Sequence, residues 1–141
     1  MDRYIKHAIT IDATPAKVWQ ALTDKELIRQ YMFGTETTCD WQKGSKLTYT
    51  GEYEGHKYND GGEILEIEPE KILKHSYWSS MSGVEDIPEN YAIVTYSITT
   101  GDNGTTLTVE QENSPTERMH EGANKHWPMS LQSIKELVEK L

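Results

Sequence analysis

Aromatic and histidine side chains recur in the middle of the chain at the two-residue spacing of a β-strand. Tyr49 and Tyr53 lie in LTYTGEY, His75 and Tyr77 in LKHSY, and Tyr96 in VTYSI. Residues two apart in a strand share a face, and Tyr and His combine an apolar ring with a polar tip. Such a face suits a mostly apolar pocket that orients its ligand by a few hydrogen bonds, and it also suits a filled core. The pattern predicts that these rings face the interior and leaves both alternatives open.

Two glutamates are candidates for acid–base chemistry because they lie on an otherwise apolar strand. Glu63 and Glu66 fall on opposite faces of that strand, so one of them can point inward, where burial would raise the pKa of its carboxyl group. The alternative is that both are exposed to solvent. The alternation of Leu65 and Ile67 assigns Glu66 to the solvated face, but Ile64 shares that face and leaves the assignment open.

The histidine and cysteine spacings do not favour metal binding or nucleophilic catalysis. His75, His120 and His126 are candidate ligands, but their spacing does not support a metal site. His120 and His126 are six residues apart and diverge by about 240 degrees on a helix, so we expect surface histidines rather than ligands. Cys39 is the single cysteine, and Asp40 beside it would raise the pKa of its thiol. The patterns GxSxG, GxxxxGK[ST] and GxGxxG are absent. We therefore predict no metal, no cofactor and no catalytic nucleophile.

The elements that must position these residues begin with a strand and two helices. Residues 4–13 alternate apolar and polar side chains, which predicts a half-buried strand. Thr14 can cap a helix with Pro15 at its first position, and Asp24 can cap a second short helix that Gly34 ends.

The middle of the chain is predicted to be an antiparallel sheet. It is rich in Thr, Tyr, Ile and Val and is interrupted by short turn segments, among them GEYEGHKYNDGG, EPEK and GDNG, which cannot make a parallel crossover. Residues 79–90 form the one long connection, either a lid over a cavity or a plain loop. Strands are predicted near residues 36–40, 46–54, 62–68, 71–78, 91–99 and 105–112.

The C-terminal segment is predicted to be a long amphipathic helix. Ser114, Pro115 and Glu117 have the spacing of a capping box, with Ser114 as the N-cap. Pro128 predicts a kink or a late helix start. Trp127 would join the aromatic residues of the sheet. The apolar face consists of Ala123, Trp127, Leu131, Ile134, Val138 and Leu141.

Size and charge limit the functional classes. With 141 residues, the chain has the usual length of one domain, and we expect residues 1–141 to form it. Fourteen Lys plus Arg against 23 Asp plus Glu give a formal charge of −9. That charge disfavours nucleic acid and anionic membranes as partners. There is no apolar run of signal-peptide or membrane-spanning length, so we predict a soluble cytoplasmic protein.

Five segments carry a resemblance to a known family. The chain resembles the Hsp90-ATPase-activator-like (AHSA1-like) branch of the SRPBCC, or START/Bet v 1-like, superfamily. The matching segments span nearly the whole chain in the family's order. They are IDATPAKVWQALTD at 11–24, GEILEIEPEKILKHSYW at 62–78, PENYAIVTYSI at 88–98, GTTLTVEQ at 104–111 and the terminal helix that contains Trp127.

The resemblance implies an α+β helix-grip fold. In that fold a curved antiparallel sheet of about seven strands wraps around a long C-terminal helix, and two short helices follow the first strand. It also implies a cavity, which members of the superfamily use to bind lipids, sterols, polyketides or other apolar molecules. Some members are cyclases or aromatases. Eukaryotic members of this branch activate the Hsp90 ATPase, with the main chaperone contacts on a separate N-terminal domain.

Three functional hypotheses follow. The first is a non-enzymatic module that binds a small apolar or aromatic molecule. The second is a cyclase-, aromatase- or hydrolase-like enzyme that uses a Glu, His or Tyr of the cavity, and the third is a stress-response or Hsp90-type chaperone-interacting protein, as a monomer or a homodimer. The predicted ligand-binding residues are Tyr49, Tyr53, His75, Tyr77, Tyr96 and Trp127.

Overall fold

The computed structural model describes residues 3–141, so the first two residues of the expected domain lie outside the described part. Seven strands and three helices follow one another, with a 3₁₀ turn at Pro88–Asn90 in the long connection. Their bounds in chain order are β1 Ile5–Ile11, α1 Pro15–Thr23, α2 Lys25–Tyr31, β2 Glu36–Thr38, β3 Lys46–Tyr53, β4 His56–Glu68, β5 Ile72–Tyr77, β6 Ala92–Gly101, β7 Gly104–Glu112 and α3 Glu117–Val138.

The seven strands form one antiparallel sheet in the order β1-β7-β6-β5-β4-β3-β2. Hairpins connect most neighbours, and the pairing of β1 with β7 brings the two ends of the strand sequence together. α3 packs across the inner face with α1 and α2 beside it. The predicted helix-grip fold, with two short helices after the first strand, is therefore confirmed. The fully buried core lies where α3 meets the sheet and includes Ile11, Leu73, Leu107 and Ile134.

Hydrogen bonds from backbone N–H groups to capping side chains determine where the helices begin. Thr14 Oγ1 accepts from the Lys17 N–H at 3.3 Å, as the sequence predicts for the first helix cap. The predicted cap of α3 is wrong. Ser114 is buried and its hydroxyl accepts from Gln111 Nε2 at 3.0 Å, so Thr116 caps the helix instead, by accepting from the N–H of Met119.

The apolar face of α3 is confirmed along its length except at the last residue. Leu131, Ile134 and Val138 are buried, and the helix continues through Pro128 rather than starting after it. Leu141 is 44% exposed because it lies beyond the end of the helix, where α3 no longer faces the sheet.

β4 is longer than the sequence predicts. The prediction placed a turn up to residue 61, but the turn contains only Glu54 and Gly55, and the strand begins at His56. The two glycines Gly61 and Gly62 lie inside the strand, where the backbone passes close to both neighbours. A Cβ on Gly61 would lie 2.0 Å from a β3 carbonyl oxygen, and a Cβ on Gly62 would lie 2.0 Å from a β5 carbonyl oxygen.

A β-bulge in β4 explains the ambiguous alternation around the glutamates. Ile64 pairs with His75 and Glu66 pairs with Lys74, so Leu65 is an extra residue in the ladder. The bulge turns both Ile64 and, three residues later, Ile67 toward the core. Glu63 and Glu66 are both exposed, so neither carboxylate points inward.

We expect Gly62→Ala to lower the free energy of unfolding by about 2 kcal/mol or more, because its Cβ would overlap the Ser76 carbonyl oxygen. Gly122→Ala is the matched control on α3, where no atom lies within 4 Å of the new Cβ, and it should raise that free energy by about 0.5–1 kcal/mol. Urea denaturation of the two variants measures whether the free energy of unfolding falls in the first and rises in the second. Equal stabilities would contradict the close approach.

Candidate ligand-binding cavity

A cavity of about 490 Å³ lies between the inner face of the sheet, the N-terminal half of α3, the end of α2 and the start of the long connection. Its volume falls in the range of sites for small organic molecules. The walls are mostly aromatic and apolar. They include Tyr49, His75, Tyr77, Tyr96 and Trp127.

The structure thus brings together five of the six residues that the sequence predicts to bind a ligand, and it leaves Tyr53 outside. Tyr53 ends β3 at the hairpin and is 61% exposed. The ring of Tyr58 lies over Gly51, and its hydroxyl is 2.5 Å from Thr35 Oγ1. This contact ends the inward-facing surface between Tyr49 and Tyr53, which corrects the prediction for Tyr53.

His75 carries an unpartnered hydrogen-bond acceptor. Its side chain is 3% exposed, and Nδ1 lies 2.9 Å from the carbonyl oxygen of Ser76. A carbonyl only accepts, so Nδ1 carries the proton and Nε2 keeps a lone pair. Within residues 3–141, Nε2 is buried and has no hydrogen-bond partner. A buried acceptor left in this state costs about 1–3 kcal/mol, which a donor from a bound molecule would offset.

The surroundings hold the His75 ring neutral. Burial lowers the pKa of His75 to about 4, although the hydrogen bond to the Ser76 carbonyl acts in the opposite direction. Near pH 7 the ring therefore offers Nε2 as an acceptor and not as a cationic donor.

A local change in the β4–β5 ladder makes the Ser76 carbonyl available to His75. The Glu63 N–H donates to Ser76 Oγ at 2.9 Å instead of to the Ser76 carbonyl oxygen, which would be its usual ladder partner. The carbonyl group also lies where a side chain on Gly62 would be. Ser76 and Gly62 are thus positioning residues for the tautomer of His75.

Two further aromatic residues continue the wall from His75 to α3. The Tyr96 ring lies 6.2 Å from the His75 ring and makes an edge contact with Trp127 at 5.8 Å and 82°. Trp127 Nε1 donates to Gln111 Oε1 at 2.8 Å, which fixes the indole. Burial raises the pKa of Tyr96 and of Tyr49, so both hydroxyls stay protonated.

The long connection forms part of the cavity wall. The Tyr77 hydroxyl donates to Asp60 Oδ2 at 3.2 Å, and Asp60 Oδ1 accepts from the Ser80 N–H at 3.1 Å. Trp78 Nε1 donates to the Val84 carbonyl at 3.2 Å. The beginning of the connection is thereby fixed to β4.

Sequence reasoning missed several wall residues. Gln111 is buried and follows Thr105, Leu107 and Val109 at period two, so alternation along β7 was a usable signal for it. Phe33 lines the mouth just beyond the end of α2, and no periodicity marks a residue in a connection.

The remaining candidate residues do not assemble into a site. Across residues 3–141, no three His, Cys, Asp or Glu side chains lie close enough together to hold a metal ion. His126 is exposed, whereas His120 is half-buried, contrary to the expected surface position, and its Nδ1 lacks a partner among the described residues. Cys39 is half-buried and its Sγ accepts from the Trp41 N–H. None of the helices in the described part combines the length and apolar character needed to cross a membrane.

Comparisons with known proteins agree on the fold. The profile of the family described as "Activator of Hsp90 ATPase homolog 1-like protein" matches residues 12–139. Protein ChR145 from Cytophaga hutchinsonii is 35% identical, with a TM-score of 0.83 over 97% of this chain and 94% of that one. A search of curated proteins found no match.

Two more distant structures show the fold alone. The Aha1 dimer from Colwellia psychrerythraea is 22% identical, with a TM-score of 0.73 over 96% of each chain. DynU16, from the dynemicin biosynthetic locus, is 18% identical, with a TM-score of 0.80 over 99% of this chain and 48% of that one.

We expect the free energy of unfolding to fall as the pH decreases from about 6.5 to about 4. In that interval the unfolded chain binds a proton at His75, whereas the folded chain holds the ring neutral, so the stability present above pH 6.5 is lost on acidification. The full difference is about 3 kcal/mol. Urea denaturation at several pH values should show a steeper decline in the natural protein than in His75→Gln.

His126→Gln is the matched control, because His126 is exposed. It should keep the pH dependence of the natural protein. If His75→Gln and His126→Gln give the same pH profile, the buried neutral state of His75 is wrong.

Proposed function

The chain belongs to the activator of Hsp90 ATPase homolog 1-like family, and on that premise we propose that it binds a small apolar or aromatic molecule that carries a hydrogen-bond donor. The site is the cavity under α3. The supporting observation is that His75, which lines that cavity, has a buried Nε2 without a hydrogen-bond partner among the described residues.

The wall composition supports an apolar ligand that carries a hydrogen-bond donor. Aromatic and aliphatic side chains provide apolar area, which contributes about 25 cal/mol for each Å² buried. A hydroxyl or N–H group on the ligand would satisfy His75 Nε2, and the hydroxyls of Tyr49 and Tyr96 are further polar tips on the wall. A phenol-like molecule meets both requirements. The proposal needs no metal or cofactor, and it keeps the predicted cytoplasmic setting.

Binding is favoured over catalysis by the state of the ionisable groups. Glu63 and Glu66 are exposed, so of the Glu, His and Tyr side chains that the enzyme hypothesis offered, these two carboxylates are on the outer surface. His75 has a pKa of about 4, and such a weak base removes protons poorly near pH 7. Its Nε2 remains a good hydrogen-bond acceptor.

A matched pair of ligands tests the proposal. We expect the natural protein to bind 2-naphthol about tenfold or more tightly than 2-methoxynaphthalene, because only the hydroxyl can donate to His75 Nε2. His75→Phe should remove most of this preference while it preserves binding of the methoxy compound. Isothermal titration calorimetry measures both affinities, and a rise in melting temperature with ligand concentration confirms binding to the folded state.

Tyr53→Phe is the control for loss of a ring polar group, since Tyr53 lies outside the cavity. It should leave both affinities unchanged. Absence of binding for both naphthalenes, or an equal affinity for the two in the natural protein, would count against a donor-carrying ligand.

A second candidate function is contact with an Hsp90-type chaperone through the outer face of the sheet. A groove of about 650 Å³ lies there, and its apolar lining includes Leu65, Trp78, Tyr91 and Ile93. The rings of Trp78 and Tyr91 stack with centroids 6.5 Å apart. An exposed apolar surface beside residues 79–90 is what the partner hypothesis requires.

For this candidate we expect the purified protein to change the ATPase rate of an Hsp90-type chaperone. Tyr91→Ala should weaken the effect about tenfold, because tyrosines at the centre of interfaces often carry much of the binding energy. Tyr53→Ala removes a more exposed tyrosine ring at the β3–β4 hairpin, away from this groove, and should retain the effect. No change of the ATPase rate at saturating concentration would exclude this role.

A further inference from the structure

Phe33 is an apolar residue whose placement folding does not explain. Its side chain is 90% exposed, more than any other large apolar side chain of residues 3–141. It nevertheless belongs to the lining of the cavity, as does Met81, which is 53% exposed. Exposed residues that line a cavity mark its opening to solvent. Phe33 and Met81 therefore lie at the mouth, on two different connections.

Besides the exposure of its ring, the backbone conformation of Phe33 is unfavourable for the stability of the fold. α2 ends in a Schellman motif, in which the N–H of Gly34 donates to the Arg29 carbonyl at 2.8 Å. In that motif the residue after the C-cap Met32 adopts the left-handed conformation and is usually glycine. Here that residue is Phe33, with φ of 54°. A side chain at such a φ is strained, and an aromatic one is rare there.

The fold of the described residues compensates neither for the exposure of the Phe33 ring nor for its left-handed backbone conformation. A ring that is 90% exposed buries little area against its own chain. Glycine at position 33 would complete the same helix end without strain. A residue that is unfavourable for folding and lies at the mouth of a cavity can be explained by what enters the cavity.

We infer that Phe33 closes the mouth over the outer end of the bound molecule, so that the ligand has its hydrogen-bond donor at the inner end and an apolar end at the mouth. This inference rests on the proposed function. It adds an orientation: the donor meets His75 in the wall, and an apolar tail meets Phe33. A ligand of the opposite polarity, with an anionic head at the mouth, would place that head against Phe33 and Met81, in a chain with a formal charge of −9.

The test uses a series of 4-alkylphenols, from 4-ethylphenol to 4-octylphenol, with the natural protein and three variants. In the natural protein, affinity should rise with tail length until the tail reaches the mouth. Phe33→Gly should bind 4-octylphenol about tenfold more weakly, with the loss mainly in a faster dissociation rate measured by stopped flow, because the tail loses part of its apolar cover. Binding of 4-ethylphenol should stay unchanged.

Although Phe33→Gly should lose affinity for 4-octylphenol, the melting temperature of this variant without ligand should rise. Phe33→Gly should raise it by about 3 °C, because glycine relieves the left-handed strain. Glu70→Gly is the matched control: Glu70 has φ of 66° in an exposed turn and does not line the cavity. It should raise the melting temperature similarly and leave every affinity unchanged. Phe33→Leu keeps an apolar side chain and should retain most of the affinity for 4-octylphenol, without the rise in melting temperature.

The outcomes separate this inference from the proposed function. If the natural protein prefers 2-naphthol to its methoxy analogue but Phe33→Gly binds 4-octylphenol as tightly as the natural protein, the role of Phe33 is wrong and the proposed function stands. The same holds if 2-naphthol binds and tail length has no effect. If the natural protein binds none of these phenols, both are wrong.

Discussion

The hydrogen bond between His75 Nδ1 and the Ser76 carbonyl decides which hydrogen-bonding group the buried His75 ring keeps free. It fixes the tautomer, so Nε2 remains an acceptor in a residue that lines a mostly apolar cavity. The bond exists because Ser76 Oγ takes the N–H of Glu63, which leaves the carbonyl free, and because Gly62 gives that carbonyl room. A small irregularity of the ladder therefore sets the chemistry of the site.

The two halves of α3 contribute to different parts of the structure. Its C-terminal half buries Leu131, Ile134 and Val138 against the sheet and closes the core. Its N-terminal half presents Trp127 and the small residue Ala123 to the cavity, so space remains there that larger side chains would fill. The stability of the fold and the volume of the cavity thus depend on different parts of one helix, and substitutions can alter one with little effect on the other.

Several predictions from the sequence were wrong for reasons that local patterns do not contain. Alternation placed Tyr53 with Tyr49, but the ring of Tyr58 from the neighbouring strand ends the inward face between them. A capping pattern favoured Ser114 as the start of α3, but Gln111 uses the Ser114 hydroxyl. In each case another side chain occupies the position, or makes the hydrogen bond, that the sequence pattern had predicted for a different role.

The sequence by itself determined the order of the elements, the antiparallel sheet and the inward face of the rings at Tyr49, His75, Tyr77 and Tyr96, because periodicity and capping act over a few neighbouring residues. Only the tertiary structure decided that space remains between these rings and α3, and that Phe33 lies at its mouth. Cavities and unpartnered atoms depend on distances between elements far apart in the chain. Those distances follow from the packing of the whole fold rather than from any single segment.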